Sequence, residues 1–262
     1  MNLHLQNKLA LVTGSTKGIG HAIAVALAAE GARVIVNGRT QTSVDDAIAR
    51  LRTEVPDAQV EGFAGDLSNP QQTEVLLGRF PKVDILINNL GIFDPKPFEE
   101  IDDAEWQHFF NVNVLSGARL SRAYLPGMRA QNWGRIVFIS SESGVQIPVE
   151  MIHYGVTKTA LLGLSRGLAE LTAGTAITVN AVLPGPTRSE GVDEFVEKLS
   201  GGQSFEAFEK TFFETARPTS LIKRFASTQE VANLVAYVAS PLSSATTGAA
   251  LRVDGGVVKS AF

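Results

Sequence analysis

The chain has 262 residues, 44% hydrophobic and 19% charged, enough apolar content to bury a sizeable core and too much for a disordered tail. Its 23 Lys and Arg against 27 Asp and Glu give a formal charge of -4, without the basic excess that nucleic-acid binding draws on, so no nucleic-acid partner is expected. The lack of cysteine excludes disulfides, thiolate metal sites and cysteine nucleophiles.

Short β-branched apolar runs alternate with longer stretches of helical periodicity, the rhythm of repeated βαβ units around a parallel sheet. Leu9 to Thr13 reads as the first strand, Ile19 to Glu30 as its helix with Gly31 as the stop, and Arg33 to Asn37 as the second strand. A helix from about Ser43 to Glu54, a strand near Gln59 to Phe63 and a helix opened by Asn69-Pro70 follow. Val83 to Asn88 is the next strand. One long helix is then expected from about Asp103 to Met128, a strand over Arg135 to Ser140, a helix from about Met151 to Leu171 and a strand over Ile177 to Val182. The segment from about Ser189 to Leu221 has helical character but breaks the alternation and reads as an insertion over one edge. A helix near Thr228 to Ala239 and a short strand at Leu251 to Val253 close the pattern. The expected fold is an α/β, doubly wound parallel sheet of about seven strands, one domain over residues 1–262 with 189–221 as a helical substrate lid. No apolar run approaches the roughly 18 residues of a membrane span, and the first residues lack a signal peptide's apolar core. A cytoplasmic protein with no membrane partner is expected.

The first strand runs into Thr13-Gly14-Ser15-Thr16-Lys17-Gly18-Ile19-Gly20 and then a helix. Its three glycines fall where a backbone must turn sharply and approach a pyrophosphate closely, with the helix N-terminus supplying N–H groups and a positive dipole end. A tight turn without a ligand is the plainer reading of glycines alone; the strand before and the helix after favour a nucleotide. An acid after the second strand would accept the ribose hydroxyls of NAD, but that strand ends in Asn37-Gly38-Arg39. Arg39 and Lys17 are suited to pairing with a 2′-phosphate, so the expected cofactor is NADP(H).

Tyr154 and Lys158 stand four positions apart in an expected helix, so they share a face and an ammonium can act on a phenol. With the positive charge of an oxidised nicotinamide added to the ammonium's, Tyr154 becomes an acid or base usable near neutrality, giving its proton to a carbonyl oxygen as hydride reaches the carbon. Four histidines, His4, His21, His108 and His153, share no ligand-like spacing, and no catalytic metal is expected.

With Asn88-Asn89-Leu90-Gly91, Asn113, Ser141, Tyr154 to Lys158, Pro184-Gly185 and the closing Thr247-Gly248 to Gly256, the glycine loop resembles the short-chain dehydrogenase/reductase family in its single-domain form. The resemblance spans nearly the whole chain, with the motifs in the family's order. It implies a catalytic set of Asn113, Ser141, Tyr154 and Lys158, with Ser141 chosen over Ser140 and Ser143 because it lies thirteen positions before Tyr154. Ser141 would hold the substrate oxygen, Lys158 the nicotinamide ribose, and Asn113 a water-mediated proton path, unless Asn113 serves only as a helix-bend residue. For the cofactor it implies Gly14, Ser15, Lys17, Gly18, Ile19, Gly20, Arg39, Asp66, Leu67, Asn88, Gly91, Tyr154, Lys158, Pro184, Gly185 and Thr187. Asp66 reads equally as a helix-start acid. Leu90 stands where the family commonly has alanine, a departure that bears on local packing.

The resemblance is to 3-oxoacyl-(acyl carrier protein) reductase-like members among others, and implies a small-molecule carbonyl or alcohol substrate and a homotetramer. Phe195, Phe205, Phe208, Phe212 and Phe213 of the insertion, with Ile92, Phe93, Val145, Ile147, Met151 and Ile152, are expected either to line an apolar pocket or to anchor the lid or a subunit contact. The alternative to an NADP-dependent oxidoreductase is a non-catalytic NADP-binding regulator or scaffold of the same fold, against which the complete acid–base set argues.

Overall fold

In a computed structural model, which describes residues 2–190 and 204–261, seven parallel strands lie in the order β3-β2-β1-β4-β5-β6-β9. They are β1 (Leu9–Val12), β2 (Arg33–Gly38), β3 (Val60–Ala64), β4 (Ile85–Asn88), β5 (Gly134–Ile139), β6 (Ile177–Pro184) and β9 (Ala250–Val253). The chain winds outward from β1 through β2 to β3, then returns to the other side of β1 for β4, β5, β6 and β9. This is a Rossmann-type sheet whose winding reverses between β1 and β4, and the crevice beyond the carboxyl ends of those strands is where such sheets bind ligands.

Alternation along a strand decides which helices cover which face. Ala10 and Val12 enter one core, with Ile23 and Leu27 of α1 (Gly18–Ala29), Leu51 of α2 (Gln41–Glu54) and Val231 and Val235 of α8 (Thr228–Val238). Leu11 between them enters the other, with Leu76 of α3 (Pro70–Arg79), Leu120 and Tyr124 of α5 (Ser116–Ala130) and Leu161 of α6 (Ile152–Leu171). Because both faces are covered, the strands read as near-continuous apolar runs.

The helix ends follow their capping residues. Asn69 accepts the Gln71 N–H at 2.8 Å with Pro70 opening α3, as its sequence predicts. α2 begins two residues earlier than its periodicity indicates, because the Thr40 hydroxyl accepts the Ser43 N–H at 3.2 Å and fixes the start. Gly31, with φ +85°, turns the chain out of α1.

The expected single helix from Asp103 to Met128 is in fact divided. α4 (Asp103–Phe110) passes through a wider π-helical turn at Asn111–Leu115 before α5 begins. The cause lies outside the helix: the Asn113 amide is drawn into a two-way pairing with the backbone of Ile92, described below.

The segment after β6 leaves the main sheet through β7 (Thr187–Arg188), which pairs with β8 (Ala226–Ser227), so both ends of the inserted stretch are tied at one place. Within it, α7 spans Phe205–Thr215. Phe205, Phe212 and Phe213 gather around Phe225, with ring centroids 5.7, 5.0 and 5.2 Å away, and Phe208 stacks on Phe212 at 6.0 Å. Of the two roles open to these aromatics, anchoring the inserted helix is the one they fill here. Phe195 lies outside the described residues. Among the described residues no helix is long and apolar enough to cross a membrane.

Leu11 is wholly buried at the centre of β1. Leu11→Ala should lower the unfolding free energy measured in urea by about 2–5 kcal/mol, a loss below about 1 kcal/mol showing instead that the core closes over the gap.

Candidate active site

At the carboxyl end of β1 the backbone turns twice through left-handed glycines, Gly14 at φ +58° and Gly18 at φ +57°. A Cβ on Gly20 would lie 2.4 Å from the Gly14 carbonyl oxygen and 2.5 Å from Asn89 Nδ2, so this position takes no side chain while the loop keeps its path. The loop is fastened from behind. The Ser15 hydroxyl donates to the Val12 carbonyl at 2.7 Å and accepts the Asn37 N–H at 2.9 Å, and Asn37 Oδ1 accepts the Gly14 N–H at 3.1 Å. Asn37 thus spends its side chain on loop closure, which accounts for a buried amide within β2.

The N-terminus of α1 attracts an anion in this structure. The Glu190 carboxylate accepts the Gly18 N–H at 2.9 Å, with Arg50 at 4.0 Å from its other oxygen. Desolvation raises this carboxyl, but hydrogen bonds from its own and the Gly18 backbone, with Arg50 nearby, outweigh it and hold the group below the usual value. A glycine-lined, anion-holding helix start fits a dinucleotide's pyrophosphate. Lys17, just before α1, and Arg39, just after β2, are both exposed. Arg50, which sequence reasoning did not single out, donates to the Thr16 carbonyl from α2.

Further along the rim, Asp66 accepts from the backbone and hydroxyl of Ser68, at 2.9 and 2.7 Å, and so shapes the turn before α3. Leu67 is buried in the core, so any ligand contact from that position falls to its backbone. Asn88 is buried too, donating to Ser121 at 3.2 Å. Leu90 packs partly against the core, and its N–H donates to Thr13 Oγ1 at 2.9 Å.

A cavity of about 240 Å³ opens beside this loop, and Ile19, Gly91, Ser141, Tyr154, Lys158, Pro184, Gly185 and Thr187 all face it. Gly185 has no room for a side chain, since a Cβ there would lie 2.6 Å from the Asp254 carbonyl oxygen. Ile92, Phe93 and Met151 supply apolar lining; Val145 and Ile147 are exposed outside it, and Ile152 does not line it.

The three serines after β5 are separated by their partners. The Ser140 hydroxyl donates at 2.8 Å to the Lys158 carbonyl, tying β5 to α6. Ser141 Oγ accepts the Ser143 N–H at 3.1 Å, donates to Glu142 Oε2 at 2.5 Å and is hydrogen-bonded with the Tyr154 hydroxyl. Asn113 sits behind this wall: Oδ1 accepts the Ile92 N–H at 2.8 Å, while Nδ2 donates to the Ile92 carbonyl at 3.1 Å and to Thr157 Oγ1 at 2.9 Å. Asn113 therefore both marks the helix bend and stands near the site.

Lys158 Nζ donates to the Ile139 carbonyl at 2.9 Å and lies 5.5 Å from the Tyr154 ring centroid. Burial lowers the ammonium to about 8, against a smaller opposing pull from Glu142. Although part of the Tyr154 ring faces the cavity, the surrounding protein desolvates its hydroxyl and pushes it above the ordinary tyrosine value. The Ser141 hydrogen bond and Arg217 oppose that shift, and Glu142 adds to it. The expected acidity of this phenol rests on Lys158 together with an oxidised nicotinamide; in the cofactor-free arrangement desolvation outweighs the chain's own charges.

Sequence reasoning missed two charged residues at this wall, Glu142 and Arg217. Arg217 Nε donates to Glu142 Oε1 at 3.1 Å and Nη1 to Glu150 Oε1 at 3.1 Å. His153, next to Tyr154, points away and packs 4.0 Å from the Phe109 ring. Among the described residues no group of His, Asp or Glu is placed to hold a metal ion.

Residues 8–200 match the short chain dehydrogenase family. The chain is similar to an uncharacterized oxidoreductase, YvaG, of Bacillus subtilis, at 48% identity over 100% of both chains. It is also similar to the 3-oxoacyl-[acyl-carrier-protein] reductase FabG of Aquifex aeolicus, at 33% identity over 98% of this chain and 100% of that one. Among solved structures, L-sorbose reductase of Gluconobacter frateurii, complexed with NADPH and L-sorbose, superposes with a TM-score of 0.92 at 31% identity. That match covers 99% of this chain and 100% of the other.

Lys158 gives the free protein a distinctive pH dependence. Between about pH 8 and the 10.5 of an unfolded lysine, the unfolded chain keeps a proton that the folded one has lost, so raising the pH disfavours unfolding. Above pH 10 the raised Tyr154 opposes the trend, because the unfolded chain then releases the tyrosine proton first. Denaturant titrations of the cofactor-free protein should show its stability relative to Lys158→Met rising from pH 8 to 10; a flat difference would show that the ammonium is not desolvated.

Proposed function

The chain belongs to the short-chain dehydrogenase/reductase family, and from that premise we propose that it is an NADP(H)-dependent oxidoreductase that reversibly reduces a carbonyl to a secondary alcohol. The observation that carries the reading is the meeting of Ser141, Tyr154 and Lys158 on one wall of a cavity whose other side is the glycine-loop helix start and the Pro184–Thr187 turn.

The bound nicotinamide would supply or take up the hydride at the carbonyl carbon. Gly14, Ser15, Gly18, Ile19 and Gly20 would bring backbone and helix start against the pyrophosphate, with Asp66, Leu67, Asn88 and Gly91 along the adenosine side. Pro184, Gly185 and Thr187 would border the nicotinamide end. Lys17 and Arg39 would pair with the 2′-phosphate, a preference supported by their exposure, by the absence of an acid at the end of β2, and by the NADPH complex of the sorbose reductase.

In the reduction direction Tyr154 gives its proton to the carbonyl oxygen while Ser141 holds that oxygen in place. Lys158, anchored on Ile139, keeps a cation next to the phenol and within reach of the ribose, and Asn113 holds the Ile92 backbone at the back of the site. The relatives act on a sugar in one case and bear the name of an acyl-thioester reductase in another, so the substrate is proposed at the level of a small-molecule carbonyl compound. A homotetramer, read from the family resemblance, would appear directly in light scattering of the purified protein.

NADPH oxidation against a panel of ketones, aldehydes, sugars and 3-oxoacyl thioesters tests the reading. Turnover in at least one class is expected, whereas tight cofactor binding with none would favour the regulator. With a substrate in hand, Arg39→Ala should raise the KM for NADPH roughly tenfold or more, about 1.4 kcal/mol, and leave NADH little changed. Equal effects on both cofactors would remove Arg39 from the 2′-phosphate site.

A further inference from the structure

Glu142 and Arg217 are nearly solvent-free charges on the wall of the cavity, with 4% and 8% of their surfaces exposed. They come from distant parts of the chain. Glu142 follows the candidate serine, and Arg217 follows α7 in the inserted segment. A surface ion pair tolerates loss of either partner; a desolvated pair does not, because the remaining charge is left without compensation.

The hydrogen-bond directions show what this pair does to Ser141. A serine hydroxyl has one proton, and Ser141 gives it to Glu142 Oε2 while already accepting the Ser143 N–H. Its interaction with the Tyr154 hydroxyl favours the ionised phenol, the sense of a hydroxyl that donates to the phenol oxygen, so Glu142 and Tyr154 compete for the one proton of Ser141. Ser141 donates to Glu142 Oε2 and Arg217 donates to Glu142 Oε1 at 3.1 Å, so the carboxylate is held from both sides. Arg217 also holds Glu150, ahead of α6, so one guanidinium joins the inserted segment to residues preceding both Ser143 and Tyr154.

We infer that Glu142 and Arg217 are a positioning pair for the proposed reaction: Glu142 holds the Ser141 hydroxyl in the free protein and yields its proton to the substrate oxygen when that oxygen arrives, and Arg217 balances the Glu142 charge beside Tyr154 while coupling that arrangement to the docking of the inserted helix. The inference rests on reading Tyr154 and Ser141 as the reacting pair. The charged and titratable groups around Glu142 are Arg217 beyond α7, Tyr154 and Lys158 on α6, and Glu150 ahead of it. Glu142 disfavours ionisation of the phenol and Arg217 favours it. A purely structural salt bridge would make loss of either partner damage the fold in the same way. A positioning pair makes the two losses act on Tyr154 with opposite signs.

The test compares Glu142→Gln, Arg217→Met, the double variant and Arg217→Lys in alcohol oxidation with saturating NADP+ across pH. The pH at which Tyr154 must lose its proton should fall by roughly one unit in Glu142→Gln and rise by roughly one in Arg217→Met. The double variant should return to near the wild-type value, and Arg217→Lys should keep the wild-type limb with a lower kcat. Unmoved limbs, or shifts of the same sign, would overturn the proposal. If the wild type turns over no substrate, it is the reductase reading that fails. The pair is then judged by tyrosinate absorbance in the NADP+ complex, corrected with Tyr154→Phe, where the same opposite shifts are expected and their absence overturns it.

Discussion

Desolvation is the constraint from which the chemistry of this molecule follows. It raises the Tyr154 phenol and lowers the Lys158 ammonium to about 8, opposing the charged form of each. A phenol so placed is a stable proton store and, by itself, a poor base. Proton release at neutral pH then requires positive charge near the hydroxyl. Within the chain that charge comes from Lys158 and Arg217, and under the proposed function a bound oxidised nicotinamide would add to it. On this account the site is inert when empty and competent when loaded.

The scaffold keeps that arrangement rigid by attaching each member to backbone. Lys158 is held by the Ile139 carbonyl at the end of β5, Ser140 ties the same strand to α6, and Asn113 clasps the Ile92 backbone from the π-helical turn. These attachments cluster beyond the carboxyl ends of β4 and β5, on the side of β1 to which the sheet turns when its winding reverses. The glycine loop is fastened in the same manner through Ser15, Asn37 and Asn89, which pair with its backbone from below. Side chains hold the backbone here, leaving the N–H groups at the start of α1 directed toward an anion.

What was legible in the sequence was local. Tyr154 and Lys158 announce themselves by a helical spacing, the glycine loop by its place between a strand and a helix, and α3 by an asparagine followed by proline. What was not legible depends on partners distant in the chain. The division of α4 from α5 comes from Asn113 meeting Ile92, 21 positions away, which no helical periodicity encodes. The Glu142–Arg217 pair joins residues 75 apart, and only the packing of α7 around Phe225 brings them together. The aromatic residues of the insertion read equally as pocket lining and as anchors until Phe225 appeared at their centre. The raised phenol was missed for a related reason: spacing reports that a cation is near, but the degree of desolvation depends on everything else that surrounds the hydroxyl.

The central claim, that desolvation holds the Tyr154 proton until positive charge enters the cavity, is tested most directly by tyrosinate absorbance of the wild type minus that of Tyr154→Phe, titrated with and without NADP+. The account predicts no Tyr154 ionisation through the ordinary tyrosine range near pH 10 in the free protein, and ionisation at markedly lower pH in the complex. A free-protein phenol that ionises below pH 10, or a titration that NADP+ leaves unmoved, would contradict it.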